Sequence, residues 1–442
     1  GGALGPGRVL LGVNVQGRRN PKDKLSLRFD EPGGVLENIE IQSDLRNGTD
    51  YSFNASYAQE YEGGELELTG FFVRTDRRED EDSIEYRGGR VGLSDLLTFN
   101  DNNVDIITDN WSLKGEIEQE MWGGESELTL AYARLSDEQT EIEEEFEYLR
   151  DTPPFPDDDR FTGDLSFLGI EDSELQVRVS HERELTLGEL EFGVDWTDKD
   201  RETSILTDRN RITIPNPPAA RPVLPGAYGP FLPVAGGVNT IEERRIDPYV
   251  MLSGEAGAAD WEVGVRYETT EVRVEDATAP ATARTTETDY GFVLPSAHLR
   301  YKLSADDRLN LSVARTVRRP NFNQLSPALL EAELGDNDFI GDPRLKPESA
   351  WGLDVGFERR LGRRGVAGIN VFYRAVTDLI EVANTGVVGS EGPGTFVFRP
   401  RNLDDATVYG VELDLSTPLD GLGLENTGVF FNYSWLDSDV ED

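Results

Sequence analysis

The chain contains no cysteine, and only two histidines and two methionines occur among its 442 residues. The absence of cysteine excludes a disulfide framework and thiolate metal sites. No run of about 18 apolar residues occurs, so the sequence predicts no transmembrane helix. Residues 1–6 lack the basic start and the apolar core of a signal peptide. We therefore expect a mature product or a piece of a longer protein.

Basic residues are scarce: the chain contains 43 Lys and Arg against 85 Asp and Glu. Its formal net charge is therefore −42. This balance argues against nucleic acid as a partner, since phosphate binding requires clustered basic side chains. The acidity has three other interpretations: a solvated loop surface, attraction of cationic ligands or divalent ions, and adaptation to a salty habitat. Regularly placed aromatic residues argue against a disordered acidic chain.

The sequence also lacks a constellation that would support catalysis. The two histidines, His181 and His298, are predicted to lie on the polar faces of strands, where neither has the partners of a catalytic triad or a histidine metal site. No glycine-rich phosphate loop joins a strand to a helix. We therefore predict no enzyme activity, no cofactor and no catalytic residue.

The pattern that dominates the sequence is alternation with a period of two. A representative run is 187–197, where apolar residues ending at Trp196 alternate with polar residues such as Glu191. Alternation of this kind is the signal of a β-strand with one apolar face. It predicts about 17 strands of about 9–14 residues, which is the length that tilted strands need to cross a bilayer. The first four predicted strands are 7–16, 22–30, 34–42 and 49–60.

Short and long connections alternate between these predicted strands. The short ones are glycine-, aspartate- or serine-rich turns, and the long ones are the segments 76–108, 136–172, 198–245, 273–286, 318–348 and 379–403. A soluble β-sandwich would not confine its long loops to one end, whereas a transmembrane barrel does so. We therefore predict an all-β fold, a transmembrane antiparallel β-barrel with short periplasmic turns and long extracellular loops.

The two faces of the predicted strands suit different surroundings. The apolar faces have no second sheet to cover them and are expected to meet membrane lipid, while the charged faces require a water-filled or plugged lumen. Several aromatic residues near strand ends fit an interfacial girdle, although aromatic residues are also common in strands generally. These aromatic residues are Trp111, Trp196, Trp261, Trp351, Tyr373, Tyr433 and Trp435.

Two of the long segments supply candidate ligand-binding residues. Segment 318–348 contains Arg318, Arg319 and Asn321, and an arginine pair could hold an anionic ligand group by bidentate hydrogen bonds. The alternative is that both arginines pair with the acidic residues of the loops and lumen. Segment 198–245 contains Tyr228 and Phe231 in a Pro-, Gly- and aromatic-rich stretch, which could contact a ligand or form a semi-rigid surface loop.

Segment 136–172 is strongly acidic and raises the question of calcium. Calcium prefers several carboxylate and carbonyl oxygens, but the ordered spacing of an EF-hand loop is missing here. The segment is therefore interpreted as solvated surface, with calcium binding left open, and no metal site is predicted.

The last third of the chain contains four motifs in sequence. They are residues 319–325 (RPNFNQL), 341–348 (GDPRLKPE), 370–380 and 409–413. In this order and spacing they resemble the β-barrel of TonB-dependent outer-membrane receptors. Residues 319–325 are similar to that family's Arg-Pro-x-Phe-x-Glu-Leu segment, with Gln324 where Glu is common, and residues 341–348 are similar to its Gly-Asn-Pro-x-Leu-Lys-Pro-Glu motif, with Asp342 in place of Asn. Residues 370–380 and 409–413 resemble the strands that follow.

The resemblance implies a 22-stranded barrel in the outer membrane, filled by a plug domain and energised by the TonB complex. Residues 1–442 would then be a partial barrel domain, with the plug absent and about five strands missing after Glu441. The implied function is ligand-gated uptake of an iron chelate, a vitamin or a saccharide. The implied partners are outer-membrane lipid, an extracellular small molecule and TonB acting through the plug. The alternative is a porin-like or adhesin barrel without a plug.

Overall fold

The computed structural model describes residues 1–29, 33–92, 95–148, 158–215, 231–330, 337–390, 395–420, 423–424 and 426–440, without the side chains of 158–160 and 211–215. Its elements are, in chain order, β1 (Gly2–Leu4), β2 (Gly7–Phe29), β3 (Leu36–Tyr61), β4 (Gly64–Arg87), β5 (Leu96–Met121), β6 (Gly124–Glu147), β7 (Asp158–Leu185), β8 (Gly188–Pro215), β9 (Leu232–Ala256), β10 (Ala259–Asp276), β11 (Thr285–Lys302), β12 (Asp307–Arg318), α1 (Phe322–Leu325), β13 (Leu329–Leu330), β14 (Asp338–Ile340), β15 (Glu348–Leu361), β16 (Gly365–Thr377), β17 (Ile380–Val388), β18 (Phe396–Asn402), β19 (Ala406–Pro418) and β20 (Gly428–Val440).

Sixteen of these strands form one antiparallel sheet in which chain neighbours are sheet neighbours, in the order β1 to β12, β15, β16, β19 and β20. The remaining strands form a second sheet of four, in the order β13-β14-β18-β17. This second sheet is built from the two connections that follow β12 and β16, so it lies at the same end of the main sheet as the predicted long loops. The described residues include no helix long and apolar enough to cross a membrane.

Several strands are longer than the sequence predicted, and the breaks predicted at 17–21 and 43–48 are wrong. β2 (Gly7–Phe29) continues without a break across 17–21, and β3 (Leu36–Tyr61) continues without a break across 43–48. Most of the segments 76–108, 136–172 and 198–245 likewise belong to hairpins that extend β4 to β9. Main-chain pairing continues where hydrophobic alternation stops, because polar side chains pair across the strands instead. Examples are Asn100 to Glu143 and Asn102 to Glu141, both with nitrogen–oxygen distances of 2.7 Å.

The tight turns that follow β3, β5, β7, β9, β11 and β15 lie at the opposite end of the sheet, as predicted. The connection from β2 to β3, where a short turn was predicted at 31–34, lies instead at the end that carries the long loops. The connection from β5 to β6 consists of Trp122 and Gly123 alone, with φ angles of 55° and 78°. Two successive residues with positive φ form the tight turn that matches the twist of a two-stranded hairpin, and glycine is favoured at such a position. One rim of the sheet therefore carries tight turns, and the other carries extended hairpins and the second sheet.

The burial of the two faces is opposite to that of a soluble protein. On β8, Asp195 on the polar face is only 3% exposed, whereas Phe192 on the apolar face is 47% exposed. The polar face is therefore the enclosed one, and it is called the inner face below. The apolar outer face needs a covering, which bilayer lipid provides for a transmembrane barrel.

Outward-facing tryptophans mark both edges of this apolar band. Trp111 lies on β5 and Trp122 lies in the turn that follows it, so eleven residues separate them. At about 3.3 Å per residue and a tilt of about 40°, this corresponds to roughly 28 Å, close to the height of the apolar band of outer-membrane barrels.

Candidate ligand site at the mouth of the inner face

The connection from β12 to β15 carries the sequence motifs and forms a compact structure. Its described residues, 319–330 and 337–347, are called the mouth loop. Asn321 caps the short helix α1: its side-chain oxygen accepts from the backbone nitrogen of Gln324 at 2.9 Å, and the Gln324 side chain accepts from the backbone nitrogen of Asn321 at 3.0 Å. This reciprocal pair is a capping box. The hydrogen-bonding groups of Asn321 therefore stabilise the loop itself.

The mouth loop is anchored to the inner face by apolar side chains. Leu325 and Leu345 of the loop, together with Ile380 at the start of β17, pack against wall residues of β9 and β10. The wall residues are Ile241, Val272 and Val274, and Tyr290 and Phe322 border the cluster. Leu325 is only 2% exposed. The loop is therefore folded inward onto the barrel wall rather than extending away from it.

The two arginines that the sequence analysis singled out point to different carboxylates. Arg319 pairs with Glu268 of β10, and its Nε lies 3.2 Å from the Thr270 Oγ1. Arg318 pairs with Glu348, with 2.8 Å between its Nε and Oε2, but its side chain stays 62% exposed, against 14% for Arg319. Arg319 thus attaches the mouth loop to the wall, while Arg318 presents part of its guanidinium to solvent.

A cavity of about 400 Å³ lies between the inner face of β5 to β8 and the mouth loop. Its wall side is polar and its loop side is apolar, with Leu329 and Leu330 of β13 opposite the strands. Within it, Glu141 accepts from the Asn102 Nδ2 at 2.7 Å and from the Ser166 Oγ at 3.4 Å. A site with a few oriented polar groups and an apolar side suits an organic ligand with hydrogen-bonding groups. We call this space the mouth cavity.

Phe231 directly precedes β9, three residues before the cavity residue Val234, and does not itself line the cavity. Its side chain is exposed. Tyr228 lies outside the described residues. The cavity residues Glu141 and Ser166 were missed by the sequence analysis, because they belong to a segment that was interpreted as solvated surface.

Lower on the inner face, the charged residues form a network across neighbouring strands. The Asp195 carboxylate lies 2.5 Å from the Arg178 Nε and 2.7 Å from the Arg266 Nη1. The Arg266 guanidinium lies 4.7 Å from the centre of the Tyr249 ring, and the Tyr249 hydroxyl donates to Glu191 at 2.7 Å. These contacts give Asp195, Arg266 and Glu191 partners on the inner face.

Two buried titratable groups lie under the mouth loop, above the part of the strands that would span a membrane. Burial raises the pKa of Glu243, although the nearby charges of Arg319, Lys199 and Arg245 oppose that shift. Burial also raises the pKa of the Tyr290 hydroxyl, to about 12. The docked loop therefore shields ionisable groups of the wall from water.

The two histidines lie on opposite faces. His298 faces Glu262 and Ser312 across its two neighbouring strands, on the inner face as predicted. His181 was predicted to face the same way, which is wrong: its ring lies 5.4 Å from that of Phe192 on the outer face, and its Nδ1 lies 2.8 Å from the Ser126 Oγ. The register that places Arg178 opposite Asp195 on the inner face puts His181, three residues later, on the outer one. Among the residues that the structure describes, no group of three or more His, Cys, Asp or Glu is arranged to hold a metal ion.

Comparison with known proteins identifies the family. Residues 29–442 match the family model described as TonB dependent receptor-like, beta-barrel. The chain belongs to the TonB-dependent receptor β-barrel family. Its members are outer-membrane transport receptors rather than enzymes, and they act with TonB on extracellular ligands. The resemblance noted in the sequence is thereby confirmed.

Solved structures of this family share the fold. The copper transporter OprC is 12% identical, with a TM-score of 0.54, over 96% of this chain and 62% of that one. The ferric-catecholate import receptor Fiu from Escherichia coli K12, in its closed form, is 11% identical, with a TM-score of 0.54, over 98% of this chain and 64% of that one. The chain therefore spans less than two thirds of the length of either receptor. A comparison with curated protein sequences found no match.

Proposed function

We propose that the full-length protein is an outer-membrane receptor that takes up a small-molecule ligand with energy supplied through TonB. The described chain supplies the barrel wall and part of the extracellular mouth. The observation that carries this proposal is the mouth loop, which is packed onto the inner face and encloses a mixed polar and apolar cavity beside it. A barrel that served only as an open pore would gain nothing from this enclosed recess.

The ligand is proposed to bind in the mouth cavity, with Glu141 and Ser166 on the polar side and Leu330 on the apolar side. Arg318 and Phe231 are proposed to contact the ligand at the rim, and Tyr228, which lies outside the described residues, stays a candidate ligand contact. Arg319 and Asn321 are proposed to act on the ligand only indirectly, since their hydrogen bonds hold the mouth loop in place. The ligand class remains an iron chelate, a vitamin or a saccharide.

The test is uptake by Gram-negative cells that produce the full-length protein, with and without a functional TonB. Labelled ferric chelates, vitamins and oligosaccharides would be supplied at low concentration. We expect saturable uptake of one class that disappears without TonB. Uptake that is unsaturable and independent of TonB would instead support the porin-like alternative.

A matched pair of variants then tests the mouth cavity. Glu141→Gln changes a carboxylate that lines the cavity, whereas Glu138→Gln changes one on the outer face of the same strand, β6. We expect Glu141→Gln to weaken binding of the transported ligand to whole cells, and Glu138→Gln to leave binding unchanged. Equal binding by both variants would place the ligand elsewhere in the barrel.

A further inference from the structure

The wall of the mouth cavity changes from charged to apolar with depth. The register of β5 to β8 aligns its inward-facing residues in rows across the strands. The outermost row contains Glu143, Asp164 and Arg209, and the row nearest the membrane contains Leu168 and Ile205. A ligand in the cavity therefore meets carboxylates at its outer end and apolar side chains at its inner end.

Glu141 lies in the row between these two, and among the described residues it has no cationic partner. Its neighbours are neutral donors, the Asn102 Nδ2 at 2.7 Å and the Ser166 Oγ at 3.4 Å. Arg209 supplies the one guanidinium among the described residues that line the cavity. Its Nε and Nη2 bind the Asp164 Oδ2 at 2.8 Å and 2.7 Å. Glu141 therefore presents a carboxylate that no described cation of the protein neutralises.

The excess of carboxylates extends along the same rows to β3 and β4. From β3 to β8, the two outer rows contain six carboxylates and two guanidiniums. Both guanidiniums are paired, Arg46 with Asp44 and Glu79, and Arg209 with Asp164. The field over this part of the mouth is therefore negative, and a concave wall of low dielectric focuses such a field on an approaching cation. The six carboxylates are those of Asp44, Glu79, Glu81, Glu141, Glu143 and Asp164.

The cavity is also short of hydrogen-bond donors. Two enclosed oxygens of its lining residues, Asn102 Oδ1 and Asp164 Oδ1, accept no hydrogen bond. No enclosed donor among the described lining residues lacks an acceptor. A ligand with N–H groups therefore adds the donors that this wall lacks, whereas a ligand with carboxylate oxygens adds further acceptors of the same charge.

The apolar side of the cavity sets a second requirement. Leu329 and Leu330 of β13 join Leu168, Ile205 and Val234 in lining it. Its volume of about 400 Å³ lies within the range of sites for small organic molecules, which is about 300–1,000 Å³. A simple inorganic cation would leave this apolar surface in contact with water, whereas an organic group would cover it.

We infer that the ligand of the mouth cavity is an amphiphilic organic cation. Its protonated amine lies against Glu141 and the acidic outer row, and its apolar part lies against Leu168, Ile205 and the leucines of β13. The inference rests on the proposed uptake function and narrows its ligand to molecules with a net positive charge, whether or not they carry a metal. Anionic chelates are excluded from this cavity.

The experiment compares three probes that share one apolar fluorophore and a similar alkyl chain. Dansylcadaverine carries a protonated amine, its N-acetyl derivative is neutral, and the dansyl derivative of aminocaproic acid is anionic. Each probe is titrated into the full-length protein, purified in dodecyl maltoside at low ionic strength, and its fluorescence reports binding. We expect saturable binding of the cation, about tenfold tighter than that of the neutral probe, as one charge-assisted hydrogen bond would give. The anion should not saturate.

Variants test whether this preference arises at Glu141. Glu141→Gln should weaken binding of the cation about tenfold and leave the neutral probe unchanged, and Glu141→Lys should reverse the preference in favour of the anion. Leu168→Asn should weaken both the cation and the neutral probe, because it changes only the apolar part. Glu138→Gln, on the outer face of the same strand, should alter neither. Heat-modified migration on gels reports whether each variant is folded.

The inference is overturned if the neutral or the anionic probe binds the natural protein as tightly as the cation does. It is also overturned if folded Glu141→Gln and Glu141→Lys proteins keep the natural preference. TonB-dependent uptake of an anionic chelate, with no preference for the cationic probe, would overturn the inference and leave the proposed function intact. Binding of the cation that depends on Glu141, without TonB-dependent uptake of any ligand class, would support the charge preference and contradict the proposed function.

Discussion

Arg266 on β10 and Asp195 on β8 form an ion pair at 2.7 Å although a whole strand, β9, lies between them. The guanidinium crosses β9 over the ring of Tyr249. The other oxygen of Asp195 is held by Arg178 on β7, so the pair links four consecutive strands across the inner face. Side chains therefore reinforce the main-chain ladder at a depth where the outer face is in lipid.

The first prediction concerns this link. Asp195→Asn should lower the free energy of unfolding by about 1–3 kcal/mol, because two partly exposed guanidiniums lose the buried carboxylate that they share. The measurement is thermal or urea unfolding of the detergent-solubilised protein, followed by tryptophan fluorescence. Asp260→Asn is the control, since Asp260 pairs with Lys302 at the exposed rim, where a pair contributes about 0–1 kcal/mol. Equal effects of the two changes would show that the link across β9 adds no stability.

The second prediction separates the two neighbouring arginines. Arg319→Ala should increase hydrogen–deuterium exchange throughout the mouth loop, because Glu268 would be left without its counterion under that loop. Arg318→Ala should change exchange little, since the Arg318 side chain is 62% exposed and Glu348 keeps a hydrogen bond from the backbone nitrogen of Ile380 at 2.6 Å. If Arg318→Ala increases hydrogen–deuterium exchange in the mouth loop as much as Arg319→Ala does, then Arg319 is not the main attachment of the loop to the wall.

The third prediction is a pH dependence. The pKa of Glu243 is higher in the folded state than in the unfolded state, where it is about 4.3. The stability that protonated Glu243 contributes is therefore complete below about pH 4.3 and is lost as the pH rises through the raised pKa of the folded state. Arg319 of the mouth loop, Lys199 of β8 and Arg245 of β9 limit the shift, while Glu174 of β7 adds to it. Glu243→Gln should therefore stabilise the protein at pH 7 and change little at pH 4.

The control for this experiment is Glu287→Gln, which changes a highly exposed carboxylate on β11. The free energy of unfolding is measured at pH 7 and at pH 4 for the natural protein and for both variants. The raised pKa of Glu243 is contradicted if Glu243→Gln does not increase the free energy of unfolding at pH 7, or increases it equally at both pH values.

The fourth prediction addresses the apolar anchor. Leu325→Ala should weaken docking of the mouth loop by roughly 2–5 kcal/mol, since it empties a buried position between Ile241 and Val274. Limited proteolysis within 319–347 measures the opening. Leu330→Ala, on the exposed β13, is the matched change and should leave cleavage nearly unaltered. Slow cleavage of both variants would indicate that the polar contacts alone hold the loop.

The strand bounds show which parts of the strands can be predicted from the sequence and which cannot. Alternation correctly locates the parts of β8 and β15 that face lipid, because one face must be apolar there. It fails above the membrane, where Asn100 and Glu143 continue the hairpin with no apolar face. Hydrogen bonds between main chains do not depend on side-chain polarity, so the extended strands leave no hydrophobic period to detect.

The candidate site shows the same limit. The sequence singles out Arg318 and Arg319 together, but their partners Glu348 and Glu268 depend on how the loop folds back across the sheet. The mouth cavity combines Ser166 on β7 with Leu330 on β13, which are far apart in the chain. No local pattern marks residues that become neighbours only through folding.

Composition and alternation alone establish an all-β barrel wall with one apolar face, one charged face and tight turns at a single rim. These features depend only on local sequence. A strand with one face in lipid must alternate apolar and polar residues with a period of two, and a two-residue turn must contain residues that tolerate a positive φ. The tertiary structure decides which charges pair and where the mouth loop docks. These features depend on strand register and on long-range packing, and a one-residue change of register would reassign every side chain to the other face.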